Sequence, residues 1–387
     1  MIERPVYFAT SVIPGLTRNL QKVEIADQVH NDERVQICNS SMDTGVTRRA
    51  DILSLLPEEI DLKNHPAYRA KQVWGWLHKQ HVTSFDAMQN IPKVMREELA
   101  SSYYIAAVKE EKRLASANDG TIKFLHSLTD GALIESVLME YSHGNTVCIS
   151  TQVGCRMGCA FCASAIGGLN RNLTAGEMCT QVYSATQSGK RIGGVVLMGT
   201  GEPLDNYDAT LQFIKLISHP DGLNIGQRHI TLSTCGLVPQ IIKLAEEKLQ
   251  ITLAISLHAA TDETRQKLMP IAKKYPLKEL MDACRYYLKQ TNRRLTFEYA
   301  LVKGENDRPA HASDIIKLLR GINCHVNLIP INKARGEFTP TQKKEAANFA
   351  VLLQKAGIQT TLRRSLGSDV NAACGQLRAE GVLDDKN

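Results

Sequence analysis

The chain has 387 residues, of which 43% are hydrophobic and 22% charged, with a formal net charge of +6. This length fits two domains, or one barrel with an appendage, and the mild basic bias permits a nucleic-acid partner without establishing one. Ten cysteines in so long a chain are not a disulfide scaffold, no run reaches transmembrane length, and Pro5 and Pro14 interrupt the only candidate signal peptide, so a cytoplasmic protein with metal or redox chemistry is expected.

Residues 1–48 show no sustained period of either kind. They are expected to form a flexible extension or to reflect a misassigned start, with Met42 as initiator. Residues 49–118 read as a small helical domain, with everything to residue 115 helical. ADILSLLPEEI starts one helix, limited by Pro57, and Pro66 opens another at AYRAKQVWGWLHKQHV. Trp74 and Trp76 alternate, so one belongs to a core and the other is more exposed. From Lys63 to Phe85 there are four Lys/Arg, three His and no acid. A solvated helix face and a phosphate-gripping surface are both open readings of that stretch.

Residues 119–145 turn β-like, with a hairpin turn at Asp130-Gly131. Residues 146–378 then alternate strand and helix. The expected strands are Val147–Thr151, Gly194–Met198, His229–Ser233, Thr252–Leu257, Leu295–Leu301 and His325–Pro330. The expected helices span 175–188, 208–218, 238–247, 277–290, 310–320 and 340–356. Six apolar strands alternating with helices imply a parallel sheet, and the fold expected is α/β, a partial (β/α)6 barrel. Residues 379–387 read as a flexible tail. In such barrels the chemistry gathers at the C-terminal ends of the strands.

The candidate residues fall at those ends. Cys155, Cys159 and Cys162 follow the first strand at spacing C-x3-C-x2-C, which calls for a soft-ligand metal. Zinc stays possible, but it needs four ligands and no partner pair follows at zinc spacing. An iron–sulfur cube held by three thiolates keeps one iron open for a substrate. Gly201 and Glu202 follow the second strand, Ser233 ends the third, Ser256, Leu257 and His258 end the fourth, and Asn332 follows the sixth. Each alone reads as a turn or cap; together with the cysteine loop they would line one ligand pocket.

The cysteine triad, with Phe161 before its last member, resembles the radical S-adenosylmethionine (SAM) signature. Residues 50–378 are more specifically similar to the RlmN/Cfr family of radical SAM RNA methyltransferases, through CISTQVGCRMGCAFC, MGTGEPLDNY, RHITLSTCG, ISLHAATD, HVNLIPIN and SDVNAACGQL. Thr200 stands where relatives often carry Met. The resemblance implies a 4Fe–4S cluster on Cys155, Cys159 and Cys162. It implies SAM, two molecules per turnover, at Gly201, Glu202, Ser233, Ser256, Leu257, His258 and Asn332. It also implies Cys374 as methyl carrier, Cys148 as the cysteine that resolves an RNA adduct, and Glu135 as general base. The implied partners are 23S rRNA and tRNA, an electron donor and a thiol reductant, with the chain a monomer. The target atom implied is carbon 2 of adenosine, with carbon 8 as the alternative, and Arg69 and Lys71 would grip RNA.

Overall fold

The structure, a computed structural model, describes residues 49–370 except Asn64, His143, residues 332–337 and Ser365. The expectations for residues 1–48, for Asn332 and Cys374, and for the tail 379–387 therefore lie outside the described residues.

A short parallel pair, β1 (Ala50–Asp51) and β2 (Tyr103–Tyr104), brackets two helices, α1 (Tyr68–His78) and α2 (Lys93–Ser102). Ala70, Val73, Trp74 and Leu77 recur at helical spacing and form the buried face of α1. Trp74 is the core tryptophan; Trp76 is half-buried and donates from its indole to Asn90 Oδ1 at 2.6 Å. The helix expected at ADILSLLPEEI is instead two 3₁₀ turns, Ile52–Ser54 and Pro57–Glu59. Asp51 explains the first: its carboxylate accepts from the Leu53 and Ala106 amides and from the Ser54 and Thr174 hydroxyls. A buried carboxylate with four donors fixes the backbone around itself and stops a regular helix from starting there.

The helical expectation also fails at β3 (Lys109–Ala115), a charged edge strand paired antiparallel with β4 (Ile122–Ser127). KEEKRLA is made of helix formers, but cross-strand pairing overrides propensity, and charge suits an exposed sheet edge. β4 turns at Asp130-Gly131, with Gly131 at φ +79°, into β5 (Leu133–Tyr141), which pairs antiparallel with β6 (Gly144–Cys148).

From β6 the sheet is parallel and in chain order: β9 (Ile192–Leu197), β10 (Ile230–Thr234), β11 (Thr252–Ser256), β12 (Leu295–Leu301), β13 (Cys324–Pro330) and β14 (Gln359–Leu362). Ten strands thus form one mixed sheet, with β3 and β14 at its edges, open rather than closed among the described residues. The helices α3 (Ala175–Thr186), α4 (Tyr207–Ser218), α5 (Val238–Glu246), α6 (Asp262–Leu268), α7 (Leu277–Thr291), α8 (Pro309–Leu318) and α9 (Lys343–Lys355) connect the parallel strands. The six expected strands and six expected helices are all present, to within a few residues at their ends. β14 is a seventh parallel strand and α6 a further short helix. Between β6 and α3, β7 (Gln152–Gly154) and β8 (Leu169–Asn172) form a small antiparallel hairpin. Its loop, residues 155–168, carries the three cysteines. Among the described residues no helix is long and apolar enough to cross a membrane.

Candidate functional site

The C-terminal ends of β9 to β13 and the cysteine loop enclose a cavity of about 170 Å³. Cys155, Cys159, Cys162, Gly201, Glu202, Ser233, Ser256 and His258 all line it. Leu257 does not: its side chain is buried elsewhere, and its amide donates to Glu298 O at 3.0 Å. That contact sets the backbone between Ser256 and His258, so Leu257 contributes through its main chain.

The cysteine loop is pinned from several sides. Cys155 N donates to Gly168 O at 2.9 Å and Ala160 N to Leu268 O at 2.9 Å. Arg156 pairs with Asp205, which also accepts from Gln152 Nε2 at 3.0 Å. The loop is thereby tied to the segment that carries Glu202. Burial is the main cause that pushes the Cys155 thiol up to about 12 and Cys159 higher still. Such thiols stay protonated until a metal displaces the proton. Among the described residues no three His, Cys, Asp or Glu side chains converge on one ion position. Three thiols on one cavity wall supply the soft sulfur donors that an iron–sulfur cluster takes, leaving a fourth position for another ligand. The donor set therefore fits the expected cluster.

The Gly199–Glu202 turn shows why side chains are missing there. A Cβ on Gly199 would stand 2.6 Å from Ile149 O. Gly201 sits at φ +113°, where a Cβ would meet Gln152 and Thr151 at 2.7 Å. Thr200 packs beside Ser164 of the cysteine loop, with the hydroxyls 3.5 Å apart. Glu202 Oε2 accepts from Cys235 N at 2.7 Å and Oε1 from Leu204 N at 3.1 Å. Desolvation raises its pKa against those hydrogen bonds. A buried carboxylate aimed at a cavity, with amides holding its geometry, is built to receive a cation.

His258 stands on a strained backbone, φ +56°, that non-glycine residues rarely adopt. Asn306 holds it there, donating to His258 O at 2.7 Å and Ala300 O at 2.6 Å. His258 Nδ1 accepts from Ala300 N at 3.0 Å, so its Nε2 carries the proton. Burial pulls its pKa down to about 3, which keeps the ring neutral. The cavity therefore meets a fixed N–H donor, with Phe161 packed edge-on at 5.0 Å.

Glu298 completes the wall and was not singled out in the sequence. Ser256, Glu298 and Asn327 are register partners across β11, β12 and β13, and Asn327 Nδ2 donates to Glu298 Oε2 at 2.9 Å. Burial pushes the Glu298 carboxyl up to about 7, although Arg363 and Asn327 act in the opposite direction. The folded protein then keeps a proton that the unfolded chain releases near 4.5, so stability is lost as pH rises from 4.5 to about 7. Glu298→Gln, which still accepts from Asn327, should stabilise the metal-free protein by up to about 3 kcal/mol more at pH 8 than at pH 4.5. Urea unfolding at both pH values measures this; an equal difference at both would contradict it.

Glu135 and Cys148 sit on the neighbouring antiparallel part of the sheet, outside the cavity wall. Glu135 is buried and pairs with Lys123, Nζ to Oε1 at 3.0 Å. Cys148 is the register partner of Val137 and Val196, and forms a small apolar cluster with Val137 and Met139 against which Met198 and Leu366 pack. Met198, packed against that cluster, also lines the cavity.

On α1, Lys71 is exposed, whereas Arg69 is half-buried and donates to Gln72 Oε1 at 2.8 Å and Asn90 O at 3.0 Å. Two of the three histidines of this basic stretch turn inward. His78 is fully buried, its pKa pulled down to about 3 mainly by burial, and bonds the Tyr183 hydroxyl at 2.6 Å. His81 stacks on the Tyr183 ring at 4.1 Å. The exposed positive charge is therefore that of the Lys and Arg side chains.

Residues 149–315 match the family model of the Radical SAM superfamily, and residues 60–105 match the ribosomal RNA large subunit methyltransferase N-terminal domain. The chain is 54% identical over 328 residues to a probable dual-specificity RNA methyltransferase RlmN of Clostridium novyi (strain NT), covering 84% of this chain and 96% of that relative. It is 55% identical over 317 residues to a protein of the same description from Clostridium tetani (strain Massachusetts / E88), covering 81% and 90%. Among solved structures it is similar to a radical SAM methyltransferase from Sphaerobacter thermophilus, with a TM-score of 0.81 and 43% identity over 86% of this chain and 100% of that one.

Proposed function

The chain belongs to the RlmN family of radical SAM RNA methyltransferases, and from that premise we propose that it methylates carbon 2 of an adenosine in 23S rRNA and in tRNA. One observation carries the reading at the level of the site: three loop cysteines and polar groups from successive strand ends line a single cavity. Cys155, Cys159 and Cys162 would hold a 4Fe–4S cluster. Glu202 would receive the ammonium of SAM, and His258 would donate its Nε2 proton, with the Ser233 and Ser256 hydroxyls beside them. When bound, the cluster and SAM supply the hydrogen-abstracting radical chemistry that methylation of an electron-poor ring carbon requires.

The remaining roles belong to the protein. Cys374, as thiolate, takes a methyl group from SAM and later carries it bonded to the base. Glu135, held in place by Lys123, would remove the ring proton as the adduct returns its unpaired electron to the oxidised cluster, leaving a closed-shell thioether. Cys148 thiolate then attacks the Cys374 sulfur. The carbon–sulfur bond breaks toward carbon, which takes up a proton, and a Cys148–Cys374 disulfide remains. An external thiol returns the pair to thiols with two electrons. Leu366, eight residues before Cys374, packs against the small apolar cluster to which Cys148 belongs, and this supports the pairing.

Anaerobic reconstitution with iron and sulfide, then SAM, reductant and RNA, followed by nucleoside mass spectrometry, tests the assignment. The expected product is 2-methyladenosine from both RNAs; 8-methyladenosine would overturn it. For the RNA grip, Lys71→Ala should raise the RNA dissociation constant and flatten its salt slope by about one unit, as one phosphate contact is lost. Arg69→Ala should do the same and also loosen the Asn90 loop. An unchanged slope for both would return α1 to an ordinary solvated face.

A further inference from the structure

Arg265, on α6, has no exposed surface. Its Nε donates to Leu257 O at 3.2 Å, and its Nη2 to Cys235 O at 2.7 Å and Ser256 O at 3.4 Å. Its Nη1 has no partner among the described residues. Among the described residues the acid that acts on this guanidinium is Asp262, three residues before it, without a direct bond to it. Gly236 makes room for it: a Cβ there would stand 3.1 Å from Nη2. A dry cation without a counter-ion is costly, and proteins keep one only where an anion meets it.

The structure shows where that anion would sit. Arg265 caps the carbonyl ends of β10 and β11, whose last residues line the cavity. Its helix is bonded directly to the cysteine loop, Ala160 N to Leu268 O at 2.9 Å, and Met269 just beyond it is part of the cavity wall. Arg265 is also among the charges that act on the Cys159 thiol. We propose that Arg265 is a positioning residue for electron transfer: its buried charge lies behind the cysteine loop and stabilises the reduced form of the thiolate-held cluster. Reduction adds one electron to an already anionic group. A fixed positive charge in low dielectric favours that added electron and raises the midpoint potential. The same guanidinium, through the Leu257 and Ser256 carbonyls, keeps the β11 end in register for Ser256 and His258.

The inference rests on the reading that the loop holds an iron–sulfur cluster, so iron is measured beside the potential. The experiment titrates the reconstituted full chain with dithionite and follows the signal of the reduced cluster by electron paramagnetic resonance. Arg265→Lys keeps the charge and should hold the wild-type potential. Arg265→Met should lower the reduction equilibrium at least tenfold, about 59 mV for a one-electron couple. A third variant, Arg265→Gln, removes the charge while keeping N–H donors for the carbonyl ends of β10 and β11, and should lower the potential as Arg265→Met does. If Arg265→Met fails to retain iron, Arg265→Gln decides. Unchanged potential in an iron-loaded Arg265→Met or Arg265→Gln protein overturns the proposal. Wild-type protein that takes up no iron overturns the reading of the loop itself.

Discussion

Cys159→Ala should hold iron only at background level, lose the broad visible absorbance of an iron–sulfur cluster and produce no methylated RNA. The loss should be total, because in the proposed site three thiolates would be the full protein ligand set and Cys159 the middle one. Its thiol lines the cavity, where desolvation raises its pKa, and without it only two of the three loop thiols remain to hold a cluster. The fold should survive. The loop is held by the β7–β8 hairpin, by Ala160 N on Leu268 O and by Arg156 on Asp205, none of which uses the Cys159 side chain. Far-ultraviolet circular dichroism should therefore match wild type while iron analysis does not. A Cys159→Ala protein that kept its iron and absorbance would remove the cysteine loop from the site.

How much of this was legible in the sequence depends on what carries the signal. The parallel strands are buried on both faces and read as continuous apolar runs, so their order and approximate ends follow from pattern alone. β3 was not legible, because an exposed edge strand of Lys, Glu and Arg has helical composition and is fixed only by its partner β4. α6 was missed for a related reason. In seven residues it buries only Leu268 and Arg265, and a buried arginine looks like a surface residue until its carbonyl partners are seen. Glu298 did leave a trace: a single acid inside the apolar strand TFEYAL is out of place on a buried strand. Its meaning appears only when register sets it between Ser256 and Asn327. The residues at strand ends were legible as a set, since a barrel turns sequence order into spatial neighbourhood. Cys148 and Glu135 were not, since nothing in their spacing separates them from ordinary strand residues; only the family likeness singled them out.

Cys148→Ala should convert the enzyme into one that stops after a single event, with RNA covalently attached. Without the second thiol the carbon–sulfur bond to Cys374 has no attacking partner, so the adduct accumulates and product falls below one per chain. The substitution is structurally mild. Cys148 is 6% exposed, stands in register with Val137 and Val196, and shares a small apolar cluster with Val137 and Met139. Removing one sulfur from such a site costs on the order of 1 kcal/mol, too little to unfold a chain with so large a core. A purely structural role would give a slower enzyme with free product, whereas the resolving role gives a shifted, RNA-bearing band on a denaturing gel. The double variant Cys148→Ala/Cys374→Ala should lose that band, because in the proposed mechanism the bond to RNA would pass through Cys374. Met198→Ala should leave resolution intact while disturbing the cavity wall next to it, which separates crowding from chemistry. Free methylated product at the wild-type rate from Cys148→Ala would rule out a resolving thiol. The buried cysteine at the end of β6 would then be a packing residue and nothing more.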